Sequence, residues 1–338
     1  MLDISPDIAR WLESGVTRIA AVLLVDLQGS GVRLPGALFA VADDGRIAGS
    51  VSGGCIEPQL IEEAQALLAE TEPRLRLVRY DQSGGKLFSP LQPCSDLVEL
   101  AVFLLDPAAY SEAVRAGEQN RTVRFCVGLD GPHAGRQWTE EVAEAPEADA
   151  GRTALPASEA ARASIFDRDD GRCFGYLITP RPRLVIVGAS HLGQELADGA
   201  MQVGFRVSVV DSRPRFLTEE RFPAVAERLV TTPRKAFEAL GVDTQTAVCA
   251  ISHDDKLDDA AITLALERGC YYVGALGSRL THAERCERLQ EQGVAPERLE
   301  EIRSPIGIAI GATTPAEIAL SIAAEVSGAY RVLVPKRR

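Results

Sequence analysis

The chain has 338 residues, which at about 100–200 residues per domain sets an expectation of two domains, and its 46% hydrophobic and 25% charged content is that of a globular protein. A formal net charge of −12, with no basic stripe beyond the tip Lys336-Arg337-Arg338, excludes nucleic acid as the expected partner. Apolar runs such as Ile19 to Val25 are too short to span a bilayer, MLDISPDIARWL has no leader pattern, and the seven cysteines include no C-x-x-C pair, so the expectation is a cytoplasmic protein without disulfide framework or zinc ribbon.

In chain order, Ser5-Pro6 opens a short helix that Gly15 stops. Arg18 to Val25 is a buried-type strand, Asp26 to Gly36 a glycine-rich loop, and ALFAVADDGRIAGSV a hairpin turned at Asp44-Gly45. SGGCIEP (Ser52 to Pro58) leads into a helix that runs to about Glu70. Leu75 to Tyr80 and Leu97 to Leu105 are strands, separated by a glycine- and proline-bearing loop. Tyr110 to Ala116 reads as helix and Thr122 to Leu129 as strand. Thr139 to Arg172 is acidic, with alanines and prolines, and reads as a surface segment or linker. Cys173 to Ile178 reads as a last strand before a Pro180-Arg181-Pro182 hinge.

From Arg183 the alternation is regular, with strands at 184–187, 206–210, 247–251 and 271–275 and helices between. RLVIVGASHLGQELADGAMQVGFRVSVVD outlines a dinucleotide-binding βαβ unit. Leu184 to Val187 is an unbroken apolar run, Gly188 serves the tight turn, and Gly193 serves close helix–strand packing. The helix runs from about Leu192 to Val203, and Asp211 stands where an acid bonds a ribose hydroxyl. The middle glycine of the fingerprint is Ser190, followed by His191. A dinucleotide, another phosphate-bearing ligand and an empty cleft therefore all stay open. For a dinucleotide, Asp211 favours NAD over NADP, whereas Arg213 is a nearby cation that suits a 2′-phosphate. Thr314-Pro315-Ala316-Glu317 announces a final helix with a capping box. The expected fold is thus α/β. It comprises an N-terminal α/β domain at 1–138, an acidic linker or surface segment at 139–182, and a C-terminal Rossmann-like parallel-sheet domain at 183–335.

Two regions carry candidate chemistry. In Ser52-Gly53-Gly54-Cys55, adjacent glycines free backbone N–H groups to curl around an anion. Cys55 at the helix start is then either an acidified thiol or small apolar filler; Glu57 in the first turn complements the helix dipole. Cys94, in the loop LQPCSD, is a second thiol candidate, while Cys126, Cys249 and Cys270 lie in strand patterns and read as core. The other region is the carboxyl edge of the parallel sheet, where ligands bind in such folds. Gly188, His191, Asp211 and His253 would line it, with Ser278 and Arg279 of GALGSR (274–279). His253 is read as functional because it shares that edge with His191, although Asp254 or Asp255 as a helix cap is the ordinary reading of the same triplet. SPIGIAIGATT (304–314) suits either a lid or a tight connection that needs glycine. No set of metal ligands is expected.

Taken together, VSGGCIEP (51–58), VGASHLG (187–193) with VVDSR (209–213), ISHDDKLDD (251–259), GALGSR (274–279) and SPIGIAIGATTPAEIALSIAAE (304–325) resemble the xanthine dehydrogenase accessory factor family, XdhC/CoxI. The motifs span most of the chain in the family's order, and residues 106–170 contribute nothing. The resemblance implies a chaperone rather than an enzyme with turnover. Such a protein binds the molybdenum cofactor (molybdopterin), works with a cysteine desulfurase on its sulfuration, and hands it to a xanthine dehydrogenase-type molybdoenzyme; a homodimer is expected. Cys55 matches the family's SGGC cysteine and His191 the histidine of its GAGH turn, with Ser190 in place of a glycine. Cys94 corresponds to a second cysteine, although Ser95-Asp96 replace the glycines that follow it in the family. The rival readings are an NAD(P)-dependent oxidoreductase, with His191 or His253 as acid–base group and Asp211 as ribose clamp, and a nucleotide-sensing module without chemistry.

Overall fold

A computed structural model describes residues 1–29, 31–72, 74–81, 97–119, 121–142 and 162–333. Cys94 and the tip Lys336-Arg337-Arg338 lie outside them. The chain divides into two compact units, one holding the described residues up to 180 and the other residues 181–333.

The first unit opens with helix α1 (Ser5–Glu13), which has Pro6 in its first turn and buries Ile8 and Trp11. Strands β1 (Ile19–Gln28), β2 (Leu38–Ala42) and β3 (Ile47–Gly49) form an antiparallel meander. Helix α2 (Glu57–Ala69) and strands β4 (Arg76–Asp81) and β5 (Leu97–Leu104) follow, and the sheet order is β3-β2-β1-β5-β4. The middle strand, β1, is buried on both faces. Ala20, Val22 and Leu24 share one core with Leu60, Ala64 and Leu67 of α2, while Ile19, Ala21, Leu23 and Val25 enter another. Period two along β1 and helical spacing along α2 thus bring two apolar faces together.

Helix α3 (Pro107–Glu118) leads to strands β6 (Val123–Gly128), β7 (Gln137–Glu141), β8 (Ala163–Arg168) and β9 (Gly171–Ile178). These strands form a second antiparallel sheet in the order β7-β6-β9-β8. Phe125, Phe174 and Ile178 join the core that receives Ile19 and Leu23. β8 and the end of β7 therefore lie within 139–172, where the sequence reads as a surface segment or linker, whereas β9 falls on the strand expected at Cys173 to Ile178. The reason is local: β8 (ASIFDR) is largely exposed, so its sequence carries little apolar signal.

The second unit runs β10 (Arg183–Val187), α4 (His191–Gln202), β11 (Arg206–Val210), β12 (Glu227–Leu229), α5 (Pro233–Leu240), β13 (Thr246–Ala250) and α6 (Asp255–Glu267). It continues with β14 (Tyr272–Ala275), α7 (Arg279–Glu291), α8 (Pro296–Leu299), β15 (Ile302–Arg303) and α9 (Pro315–Leu333). All neighbouring strands are parallel, in the order β12-β11-β10-β13-β14-β15. This is the Rossmann order, and the direction of travel reverses between β10 and β13, which opens a crevice at their carboxyl ends. Leu184, Ile186, Val207 and Val209 pack toward Leu196 of α4 and Ile322 of α9. Val185, Val187, Val248 and Ala250 pack toward Phe237 of α5 and Ile262 of α6. Covering both faces explains the continuous apolar runs of these strands. The expected capping box is present, because Glu317 accepts N–H bonds from Thr313 (2.8 Å) and Thr314 (2.9 Å) while Thr314 Oγ1 accepts one from Glu317 (3.3 Å).

Candidate functional site

In the first unit the SGGC loop joins β3 to α2. Gly53 and Gly54 have φ of +88° and +114°, the left-handed region where a side chain is strained. The anion inside this curl belongs to the chain itself. The Glu57 carboxylate accepts N–H bonds from Val51 (3.1 Å), Ser52 (3.0 Å) and Gly54 (2.9 Å), and hydroxyl bonds from Ser50 (2.6 Å) and Ser52. The remaining amides close on hydroxyls: Gly53 donates to Ser50 Oγ (2.8 Å), and Cys55 and Ile56 donate to Ser52 Oγ (3.1 and 3.2 Å). Burial alone would raise the Glu57 pKa, but the bonds from Ser50, Ser52 and the backbone outweigh it and hold the group down at about 2. Ser52 and Gly54 are thus engaged with Glu57, and Gly53 with Ser50. Sequence reasoning missed this role for Glu57; the signal was a carboxylate just beyond a serine-flanked glycine pair. Cys55 is half-buried and packs partly on the core beneath α2.

In the second unit the expected residues do gather at the carboxyl edge of the sheet. Gly188 leaves β10 with φ +122°, and a Cβ there would lie 2.6 Å from Ser252 Cα, so the turn needs glycine for both dihedral and space. A Cβ on Gly193 would collide with the Gly188 carbonyl, which is the close helix–strand packing expected of that position. Ser190 caps α4 by accepting from the Gly193 N–H (3.3 Å), and His191 opens the helix, 68% exposed, 3.7 Å from Glu195. Across the crevice, His253 follows β13 with φ +62° and is exposed. Such a backbone is uncommon for a non-glycine residue and clusters at functional sites. Beneath it, buried Asp258 accepts from the Ser252 N–H (3.1 Å) and hydroxyl (2.7 Å), and burial pushes its carboxyl pKa up despite those bonds. After β14, Ser278 caps α7 by accepting from Thr281 (3.1 Å), and Arg279 is exposed at the helix start.

Asp211 stands at the expected place but is engaged differently from a waiting ribose clamp. It is 0% exposed, and its oxygens accept from the Ala189 N–H (2.7 Å), the Arg213 N–H (2.9 Å), Arg213 Nε (2.9 Å) and Arg213 Nη2 (2.8 Å). Burial would raise its pKa, yet these bonds lower it below the usual carboxylate range. The carboxylate therefore ties the β10 turn to the end of β11. Arg213 in turn lies over the Phe216 ring at 4.2 Å, a neighbour the sequence reading passed over. Arg221 fastens the same corner, donating to the Ala189 carbonyl (3.1 Å) and Gln194 (2.7 Å).

The loop before α9 is fixed to that helix. The Gly307 N–H donates to Glu325 (2.8 Å), which also accepts from the Tyr272 hydroxyl (2.6 Å), and a Cβ on Gly307 would collide with Ser321. Glycine is thus required there for tight packing. Cys126, Cys249 and Cys270 are buried as expected, and burial pushes each thiol pKa up. Among the described residues no group of three or more His, Cys, Asp and Glu side chains is arranged to hold a metal ion. No helix among them is long and apolar enough to cross a membrane.

Two family models match the chain: the XdhC and CoxI family over residues 11–81, and the XdhC Rossmann domain over 184–326. The molybdenum cofactor insertion chaperone PaoD of Escherichia coli is 30% identical over 308 residues, 90% of this chain and 81% of that protein. A Bacillus subtilis protein described as a probable xanthine dehydrogenase subunit is 26% identical, with 90% of both chains covered. A solved structure described as a xanthine dehydrogenase from Bacillus halodurans superposes with a TM-score of 0.76 at 25% identity, covering 98% of this chain and 96% of that one. Both halves of the sequence, the order of the motifs and the whole-length likeness agree: the chain is a member of the XdhC and CoxI family.

Proposed function

We propose that this protein is a maturation factor that receives the molybdenum cofactor as cargo, supports its sulfuration and delivers it to a xanthine dehydrogenase-type molybdoenzyme. In this reading Cys55 is the soft ligand for the cargo, a cysteine desulfurase supplies the sulfur, and the protein acts in the cytoplasm as a homodimer. The carboxyl edge of the second unit takes a phosphate-bearing ligand, a pterin phosphate or a nucleotide. The observation that carries the reading is Cys55, half-buried on a loop that two positive-φ glycines and an internal carboxylate shape, in a chain related over 90% of its length to a cofactor insertion chaperone. A thiolate suits a soft metal centre or sulfur chemistry. The engagement of Asp211 by Arg213 and Ala189 weighs against an NAD-dependent oxidoreductase that uses this acid as its ribose clamp.

The test is Cys55→Ser against a Cys249→Ser control, each co-expressed with cofactor biosynthesis. Molybdenum and pterin per chain, and partner activity in cells lacking the native factor, are measured. Cys55→Ser folds, loses most bound molybdenum and fails to activate the partner; Cys249→Ser loses stability instead. Full partner activity with normal molybdenum content in Cys55→Ser would move the function to the second unit. Hydride transfer with NAD(P)H and a small carbonyl compound would favour the oxidoreductase.

A further inference from the structure

We infer that Glu57 is the positioning residue of Cys55: its carboxylate is the internal anion on which the loop closes, so that the loop around the thiol has no open backbone N–H for an outside anion. The inference rests on the reading of Cys55 as the functional thiol.

The argument is a complete accounting of donors. Val51, Ser52 and Gly54 give their N–H groups to the Glu57 carboxylate, Gly53 gives its own to Ser50 Oγ, and Cys55 and Ile56 give theirs to Ser52 Oγ. Both serine hydroxyls then donate to Glu57. Every amide from Val51 to Ile56 is therefore spoken for, and each path leads to one carboxylate directly or through one hydroxyl. A glycine curl of this kind ordinarily receives a phosphate or an oxyanion. Here an outside anion would have to expel a buried carboxylate bonded to five groups.

Two consequences separate this arrangement from a merely structural loop. The first concerns the ligand: a hard oxyanion gains nothing at this loop, while a thiophilic centre meets a sulfur whose backbone is anchored on both sides. The second concerns charge. The carboxylate brings a negative charge to the loop that carries the thiol, while the start of α2 presents a positive dipole end. Glu57 thereby sets the place of Cys55 and the charge of the loop that carries it.

The experiment uses the full-length protein without cargo, so that it stands apart from the cofactor measurements. Amide exchange across 51–56 and the pH profile of Cys55 alkylation by iodoacetamide, mapped by peptide mass spectrometry, are followed in wild type, Glu57→Ala and Glu57→Gln. In wild type, inorganic phosphate at millimolar concentration changes neither readout. In Glu57→Ala, exchange at 51–56 accelerates on the order of tenfold, as expected for losing hydrogen bonds to a charged group, the alkylation profile moves to lower pH, and added acetate restores both by refilling the curl. Glu57→Gln keeps the volume and loses the charge, so it shows the same shift even if Glu57→Ala proves too unstable to measure. Phosphate protection of the wild-type loop, or alkylation profiles identical in all three proteins, would overturn the inference. Normal molybdenum binding by Cys55→Ser would instead sink the cargo reading and leave these outcomes standing.

Discussion

At the scale of single residues, internal carboxylates take the backbone donors that motif reading assigns to ligands. Glu57 does so in the SGGC loop and Asp211 at the Ala189 amide. The Glu57 carboxyl is held at about 2, below its ordinary 4.5. A lowered folded-state pKa contributes stability above the unfolded value, and this contribution disappears as the pH falls through the folded value. The SGGC amides should therefore keep their wild-type chemical shifts down to about pH 4.5 and lose them toward pH 2, as read by an amide NMR titration. Asp211→Asn replaces an acceptor of the Arg213 guanidinium and Ala189 bonds by a group that can satisfy only part of them. It should destabilise the second unit by about 1–3 kcal/mol, the scale of a buried polar group left unsatisfied. A urea midpoint equal to wild type would show that Arg213, partly exposed, finds water instead. The positions of Gly188, Gly193, His191 and His253 were legible from the glycine pattern and the strand ends. The engagement of Asp211 was not, because spacing reports where a carboxylate lies and not which donors reach it first.

At the scale of elements, the fit of α4 against β10 turns on one missing methyl group. A Cβ on Gly193 meets the Gly188 carbonyl, and Gly188 is itself pressed against Ser252. Gly193→Ala must separate the helix from the turn, so a cost of about 1–3 kcal/mol is expected, as for overpacked cores. Ligand binding at the edge should fall with it while the first unit keeps its own transition, measured by urea titration alongside nucleotide and pterin binding. Elements with strong periodicity were readable: α2, β10 and α4 lie within a residue or two of their expected limits, α9 starts where its capping box announces it, and β1 runs three residues past the expected Val25. Strands β8, β12 and β15 escaped for a common reason. β12 and β15 span three and two residues and β8 is largely exposed, so none carries enough apolar signal to stand out.

At the scale of the whole molecule, the apolar clusters respect the division at residue 180. The cores around Ile19 and Leu60 are built from residues 1–178, and those around Leu184 and Val185 from residues 184–330. A unit with its own core is expected to fold alone. Limited proteolysis should cut between β9 and β10, within 179–182, and leave a stable fragment beginning near Arg183, and the recombinant fragment 181–335 should melt cooperatively. First cleavage inside 184–330 would count against independent folding. The strand order also bears on synthesis. In the second unit β10 is made first and is flanked in the finished sheet by β11 and β13; β12 then adds to β11, β14 to β13, and β15 to β14. Each strand after the first leaves the ribosome with its partner already made, so the sheet can grow outward from its centre without waiting. The first unit differs, since among the described residues β4 pairs only with β5 and β8 only with β9, both of which are translated later. A chain stalled between residues 81 and 97 would carry β4 with its pairing edge unmet, whereas a chain stalled after β11 or any later strand of the second unit would carry only strands that already have a neighbour.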